Sequence, residues 1–381
     1  MWQLWKKRFV IKRIDIHILK SFLINFIGAN LFLLMILLLD KLFDIADLLI
    51  KKNVPPLEVL KIIIFSLPFM IALTVPMSLL VASISLYGRY AQDFELIGYS
   101  SCGISLVRVS RAPLLFSIIL FIIMFFFNSY TVPESNHKLK NLLFDIYQKK
   151  PAMSLKAGIF NEIDNYKIYI GEKDERNSFL KDVKINEKKE DGYRIIIAQK
   201  GKIFTQKDEF IILELENGFI QEIGKEKEVL RELDFEKYRI KIPIEKEKVR
   251  EIRVSRSDRE MNIKMMLREI KKLKKLLEKE KNNKYIKLQI QRLFVELHKK
   301  LAIPFAGIVF VLIGIGVAKR FGRGGYGTAF GISLFIFTFY YICLVGGEEL
   351  ADAGKLAPWI AVWFPNIISL IAGIVLIKKY N

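Results

Sequence analysis

The sequence predicts an α-helical membrane protein with six transmembrane helices, three before and three after an inserted β-jellyroll domain, and three observations carry that prediction. The chain of 381 residues is 52% hydrophobic and 26% charged, yet the two classes are separated along it. Long apolar runs fill the N-terminal third and the C-terminal fifth, whereas the stretch from Lys140 to Lys300 is dense in Lys, Glu, Asp and Asn. A single globular core mixes these classes, so the segregation points to a membrane protein with a water-soluble insertion. Six apolar segments reach the length of about 20 residues that a helix needs to cross a hydrocarbon layer about 30 Å thick. The insertion breaks into short β-branched and aromatic runs bounded by turn residues.

The spans are expected at 21–39, 59–86, 113–132, 301–318, 328–345 and 358–377. Lys6, Lys7, Arg8, Lys12 and Arg13 precede the first apolar run as they would in a secretory signal. That run is longer than a signal core, and Asp40-Lys41-Leu42-Phe43 follows it where a small-residue cleavage site would stand, so it is read as a retained span. Pro68 and Pro76 fall inside the second span and mark kinks, which neighbouring helices tolerate in a membrane.

Orientation follows from the Lys and Arg of the short connections, because cytoplasmic loops hold the excess. One side collects the N-terminal basic cluster, Arg89, Arg108, Arg111, Lys319, Arg320, Arg323, Lys378 and Lys379; the other has Lys41, Lys51, Lys52 and Lys355. Both termini are therefore expected in the cytoplasm and the insertion on the far side. The formal net charge of +20 sits largely beside spans, where it meets anionic head groups. No basic stretch is interleaved with aromatics as a nucleic-acid surface would be, so nucleic acid is not an expected partner.

Within the insertion, strands are expected at 166–170, 193–199, 210–216 and 238–242, with Asp191-Gly192 and Asn217-Gly218 as hairpin dipeptides. Together they read as a β-sandwich or jellyroll. Met266, Ile270, Leu273 and Leu277 then recur at helical spacing among Lys271, Lys272, Lys274 and Lys275. This basic helix is either a membrane-surface element or a solvated one. The expected division is 1–132 for spans one to three, 133–258 for the β-domain, 259–300 for the connecting helix and 301–381 for the last three spans.

The chain has no Gly-x-x-x-x-Gly-Lys-Ser/Thr loop, so it is not an ATPase by itself. His17, His137 and His298 form no His-x-x-x-His pair, and Cys102 and Cys343 stand alone, so neither a metal, a cofactor nor a disulfide is expected. No catalytic residue is assigned. The charged residues near span ends carry more. Lys41, Lys138 and Lys140 follow spans on the outer side and read either as interfacial snorkelling or as a cationic rim for lipid phosphates. Gly327 and Gly331 form a Gly-x-x-x-Gly pair in the fifth span, a close-packing signal within the chain or toward a second subunit. Between spans two and three, 89–105 is too long for a tight turn and too polar to span. It is expected to hold a short helix, closed by Gly98 or Gly103, that docks onto a soluble partner.

Several stretches resemble the LptF/LptG family of permeases, the transmembrane pair of the lipopolysaccharide-export ABC transporter. They are Glu95-Leu96 with Gly103-Ile104-Ser105, Val132-Pro133, Lys156-Ala157-Gly158-Ile159-Phe160-Asn161, 297–304 (Leu-His-Lys-Lys-Leu-Ala-Ile-Pro) and Trp363-Phe364-Pro365-Asn366. The resemblance implies an inner-membrane permease subunit that extracts lipopolysaccharide from the outer leaflet, with a periplasmic jellyroll and a sister permease. It implies a cytoplasmic ABC ATPase dimer gripping Arg89, Asp93, Phe94, Glu95, Leu96, Gly98 and Gly103. Lipopolysaccharide would enter between spans one and five of opposite subunits and leave through LptC/LptA-type jellyroll proteins. Lys41-Leu42-Phe43-Asp44 is most similar to the LptG side. A membrane-anchored scaffold with a periplasmic binding domain is the competing reading.

Overall fold

The computed structural model describes residues 13–50, 54–149, 155–163, 165–174, 179–189, 192–206, 210–224, 228–243, 253–280, 283–321 and 325–379. Among them, six helical stretches are long and apolar enough to cross a membrane: Arg13–Phe43, Pro56–Gln92, Arg111–Ile146, Lys284–Ala318, Gly327–Asp352 and Pro358–Lys378. Each contains one expected span. The helices run past the apolar windows because hydropathy marks the membrane crossing, while the backbone ladder continues into polar turns.

The helices are α1 (Arg13–Ile50), α2 (Pro56–Gln92), α3 (Glu95–Ser101), α4 (Leu106–Val109), α5 (Arg111–Phe126) and α6 (Val132–Lys149), followed after the sheet by α7 (Ile263–Lys279), α8 (Lys284–Phe321), α9 (Gly325–Asp352) and α10 (Pro358–Lys379). Pro68 and Pro76 sit inside α2, Pro304 inside α8 and Pro365 inside α10. Between α5 and α6, Phe127–Thr131 widens into a π turn. Pro133 supplies no amide for the Ser129 carbonyl, which explains the wide turn at that point. The buried ammonium of Lys300 donates to the Asn128 carbonyl there, 3.3 Å away.

The contacts divide the chain into two units, of which the first holds 1–40, 66–137 and 257–381. Its interior is built by small residues that let helices approach. A Cβ on Gly314 would meet Ser83 at 2.5 Å, one on Gly316 would meet Leu376 at 2.5 Å, and one on Gly347 would meet the Ala361 carbonyl oxygen at 2.5 Å. Asn366 ties three spans together: its Nδ2 donates to the Ala302 carbonyl at 3.1 Å, and its Oδ1 accepts from the Tyr340 hydroxyl at 3.3 Å. Outside the spans, Met266, Ile270 and Leu273 of α7 pack on Ile286, Ile290 and Leu293 of α8. The apolar face of the basic helix is thus used inside the chain, and Lys271, Lys272, Lys274 and Lys275 point outward.

The second unit, 41–65 with 138–256, holds an antiparallel sheet. Its six strands run β1 (Phe160–Ile163), β2 (Tyr166–Asp174), β3 (Phe179–Lys189), β4 (Gly192–Gln206), β5 (Phe210–Gly224) and β6 (Val229–Pro243), each hydrogen-bonded to the next in sequence. The order is a simple meander. Its pairing registers pass over Gly171, Asp182, Gln199, Asn217 and Glu236, which form one line across the strands. Along that line the buried parity changes: Leu180 gives way to Val183 and Ile185 in β3, and Ile196 and Ala198 to Gly201 and Ile203 in β4. One additional residue per strand therefore creases the sheet while keeping the same face inward. Buried residues from both sides of the crease form one cluster, so a single meander makes the two-sided core expected of a sandwich or jellyroll.

Asn217-Gly218 corrects the expected hairpin. It lies within β5, on the crease, with Asn217 at φ 53°. Asn tolerates the left-handed region, and Gly218 lies so close to the Ile197 carbonyl oxygen that a Cβ would stand 2.1 Å from it. The same two properties that favour a hairpin turn here serve a bend. Gly192 pairs with Lys189 where β3 turns into β4, and Asp191 lies outside the described residues. Strands β1 and β3 are not among the runs the sequence singled out; β3, FLKDVKINEKK, has too many charged residues to stand out as apolar.

Candidate functional site

The connection between spans two and three begins where α2 ends at Gln92. Phe94 holds φ 59°, a left-handed conformation unusual for an aromatic residue, and is 66% exposed. This places Glu95 in the first turn of α3, where a carboxylate suits the helix dipole. Leu96 is buried, and Ile97 on the next position is exposed. The helix closes with a Schellman pattern: the Gly103 amide donates to Ser100 and that of Ile104 to Tyr99, each at 2.9 Å, with Gly103 at φ +73°. Gly103 is therefore the terminator, and Gly98 is an open helical position. Arg89 lies over the Tyr90 ring at 5.7 Å, and Asp93 is exposed at the turn.

The inner face of the connection is firmly seated. Leu96, Leu106 and Val109 join Ile18 and Phe22 of α1, Tyr87 and Tyr90 of α2, and Val311 and Ile315 of α8 in one buried cluster. The Tyr87 hydroxyl donates to the Val109 carbonyl at 3.2 Å. Arg108 makes a two-pronged pair with Asp15 of α1, Nη1 to Oδ1 at 2.6 Å and Nη2 to Oδ2 at 2.7 Å. That pairing raises the Arg108 pKa further, through hydrogen bonding and charge. The outer face of the connection exposes Phe94 and Ile97, with Glu95 half-buried beside them.

Beside α1 lies an apolar cavity of about 490 Å³, lined by Ile24, Asn25, Gly28, Ala29 and Phe32 of α1, Val81 and Ser85 of α2, and Gly327 and Phe330 of α9. Phe32 meets Phe330 edge-on at 5.4 Å. Further along, the Asn30 amide donates to Ser78 at 3.2 Å and Thr74 at 3.3 Å, a polar fastening of span one to span two. Gly327 and Gly331 have open space around them, so they take no part in close packing within this chain.

The three outer lysines stand in different settings. Lys138 is exposed; Lys41 is half-buried; Lys140 donates to the Ser255 carbonyl at 2.6 Å. Near Lys140, Asp145 of α6 pairs with Arg253 at 2.7 Å, so two contacts hold α6 to the chain returning from the sheet. Sequence reasoning missed Asp15 and Arg108, which look like ordinary flanking charges, and Asn30, Lys300 and Asn128. A lone acid inside the N-terminal basic cluster and a lone amide in an apolar run are the signals that were there to find.

Six apolar spans, a cavity among the membrane-crossing helices and an inserted antiparallel sheet define a multi-pass membrane protein with a β-rich insertion. The particular family is shown by comparison: the chain belongs to the lipopolysaccharide export system permease LptF/LptG family, whose model matches residues 16–379. That description covers both subunit types and places the chain in the Lpt transport system. No curated protein matches the chain.

Proposed function

We propose that this permease extracts lipopolysaccharide from the outer leaflet of the inner membrane, driven by a separate cytoplasmic ABC ATPase that grips the helix between spans two and three. The observation that carries this reading is the two-sided build of that helix: Leu96 is rooted in the core of the spans, while Phe94 and Ile97 stand 66% and 60% exposed beside Glu95. An apolar pair with one carboxylate fits a groove on a soluble partner. The basic balance of the short loops supports cytoplasmic termini and a periplasmic sheet, with 133–258 as the β-domain and 259–300 as the connecting helix. Lipopolysaccharide leaves through a periplasmic bridge of LptC/LptA type, and a second LptF/LptG-type permease completes the membrane part.

The energetics agree. Exposing each methylene of a lipid to water costs about 0.8 kcal/mol, so extraction needs an external energy source and an apolar place for the acyl chains. The cavity beside α1 suits acyl chains; Lys41 and Lys138, in the other unit, are each read as a contact for lipid phosphate. The test is purification from the native membrane in mild detergent, with ATPase activity and lipid phosphate assayed together. An ATPase, a second six-span chain and phosphorylated glycolipid are expected with the wild type. Glu95→Lys is expected to lose nucleotide-driven extraction. A protein that purifies alone, or that is indifferent to Glu95→Lys, favours the scaffold reading.

A further inference from the structure

Span one differs from the other spans in how it is held. Only 11% of its apolar window is buried within the chain, against 72% for span four. Among the described residues it is held by Asp15, Ile18 and Phe22 at one end, by Phe26 edge-on to the Phe116 ring at 5.6 Å, and by Asn30 and Leu33 further along. The wall it lends to the apolar cavity, from Ile24 to Phe32, lies between Phe22 and Leu33. A helix is stiff over this length. Asp15 and Asn30 are about 22 Å apart along the axis at about 1.5 Å per residue, so a displacement applied at Asp15 becomes a tilt about Asn30.

What grips Asp15 is Arg108, in the connection that carries Phe94 and Glu95 on its outer face. Two parallel hydrogen bonds fix both distance and orientation, which a single contact between flexible side chains does not. The guanidinium is also steadied from behind: its own backbone amide donates to the Ser105 hydroxyl at 3.3 Å, and the adjacent Val109 carbonyl is held by Tyr87. Movement of the connection therefore pulls on α1 through a defined polar joint.

We propose that the Asp15–Arg108 pair carries motion of the connection between spans two and three to span one, making span one the moving wall of the apolar cavity. Asp15 and Arg108 are positioning residues. The inference rests on the ATPase-driven reading above and names the joint through which that drive reaches the lipid site.

The test uses the full complex with its ATPase in liposomes, reading ATP hydrolysis and lipopolysaccharide extraction in one sample. Asp15→Asn and Arg108→Gln are each expected to keep hydrolysis and to lower extraction about tenfold, since each removes a charge-assisted pair. Arg108→Lys, which keeps the charge but only one prong, is expected to fall between. The double exchange Asp15→Arg with Arg108→Asp is expected to recover extraction. Normal extraction in the single variants overturns the proposal. So does an equal loss of assembly, hydrolysis and extraction in all of them, Arg108→Lys included, which marks a merely structural pair. Absence of nucleotide-driven extraction in the wild type overturns the ATPase-driven reading itself, and this inference with it.

Discussion

The glycines of spans four and six and those of spans one and five are the same residue put to opposite uses. Gly314, Gly316 and Gly373 lie against Ser83, Leu376 and Ile313, and Gly347 at the far end of span five lies against Ala361. Without a hydrophobic driving force between helices in lipid, such close approach is what van der Waals packing and interhelical hydrogen bonds depend on. Gly28, Gly327, Gly331 and Gly346 have nothing within 4 Å of where a Cβ would sit. The first set builds a close-packed wall; of the second, Gly28 and Gly327 leave room beside span one, where the cavity lies. A Gly-x-x-x-Gly pattern is thus informative only once the space around it is known.

That contrast can be broken by substitution. The largest effect is expected at Gly347→Ala, whose new methyl would face an immovable backbone oxygen at 2.5 Å. Overpacking of that kind costs about 2–3 kcal/mol, read as a lower midpoint in SDS-titration unfolding of the detergent-solubilised protein. Full stability would show that spans five and six separate readily. A smaller effect, of a different kind, is expected at Gly28→Leu, which fills part of the cavity and leaves the fold intact. Displacing about two lipid methylenes costs about 1.6 kcal/mol, near a tenfold loss of bound glycolipid phosphate. Unchanged lipid content would remove the cavity from the transport path. The smallest effect, with the opposite sign, is expected at Gly331→Ala. Helix propensity favours Ala by about 1 kcal/mol, so the isolated chain is unharmed or slightly firmer. Weaker recovery of the second permease with this variant would place the open pair at the subunit interface, and unchanged recovery would leave it facing lipid.

Parts of this molecule were legible before any geometry. Spans two and four kept their places despite Pro76 and Pro304, because twenty apolar residues outweigh a single proline when neighbouring helices satisfy the freed groups. A short helix within 89–105 was also readable, with Gly98 or Gly103 as its end; the structure decides for Gly103, since few residues other than glycine adopt φ +73° at low cost. Strand β3 and the bend at Asn217-Gly218 were not. A strand rich in Lys, Asp and Glu shows no alternation when a crease shifts its parity, and Asn-Gly carries the same local preference in a turn and in a bend. Lys140 read either as interfacial snorkelling or as part of a cationic rim, and its contact with Ser255 comes from a segment 115 residues away.

The amino-acid sequence by itself determined that this chain crosses a membrane six times and carries a soluble β-domain, because transfer of long apolar runs out of water is a local sum over neighbouring residues. It also determined the family, through short motifs kept in order along the chain. Only the tertiary structure decided that Asp15 meets Arg108, that Asn30 fastens span one to span two, and that Gly327 and Gly331 stand open while Gly347 is packed. Pairings between distant residues depend on which helix faces turn toward one another, and no local preference specifies that.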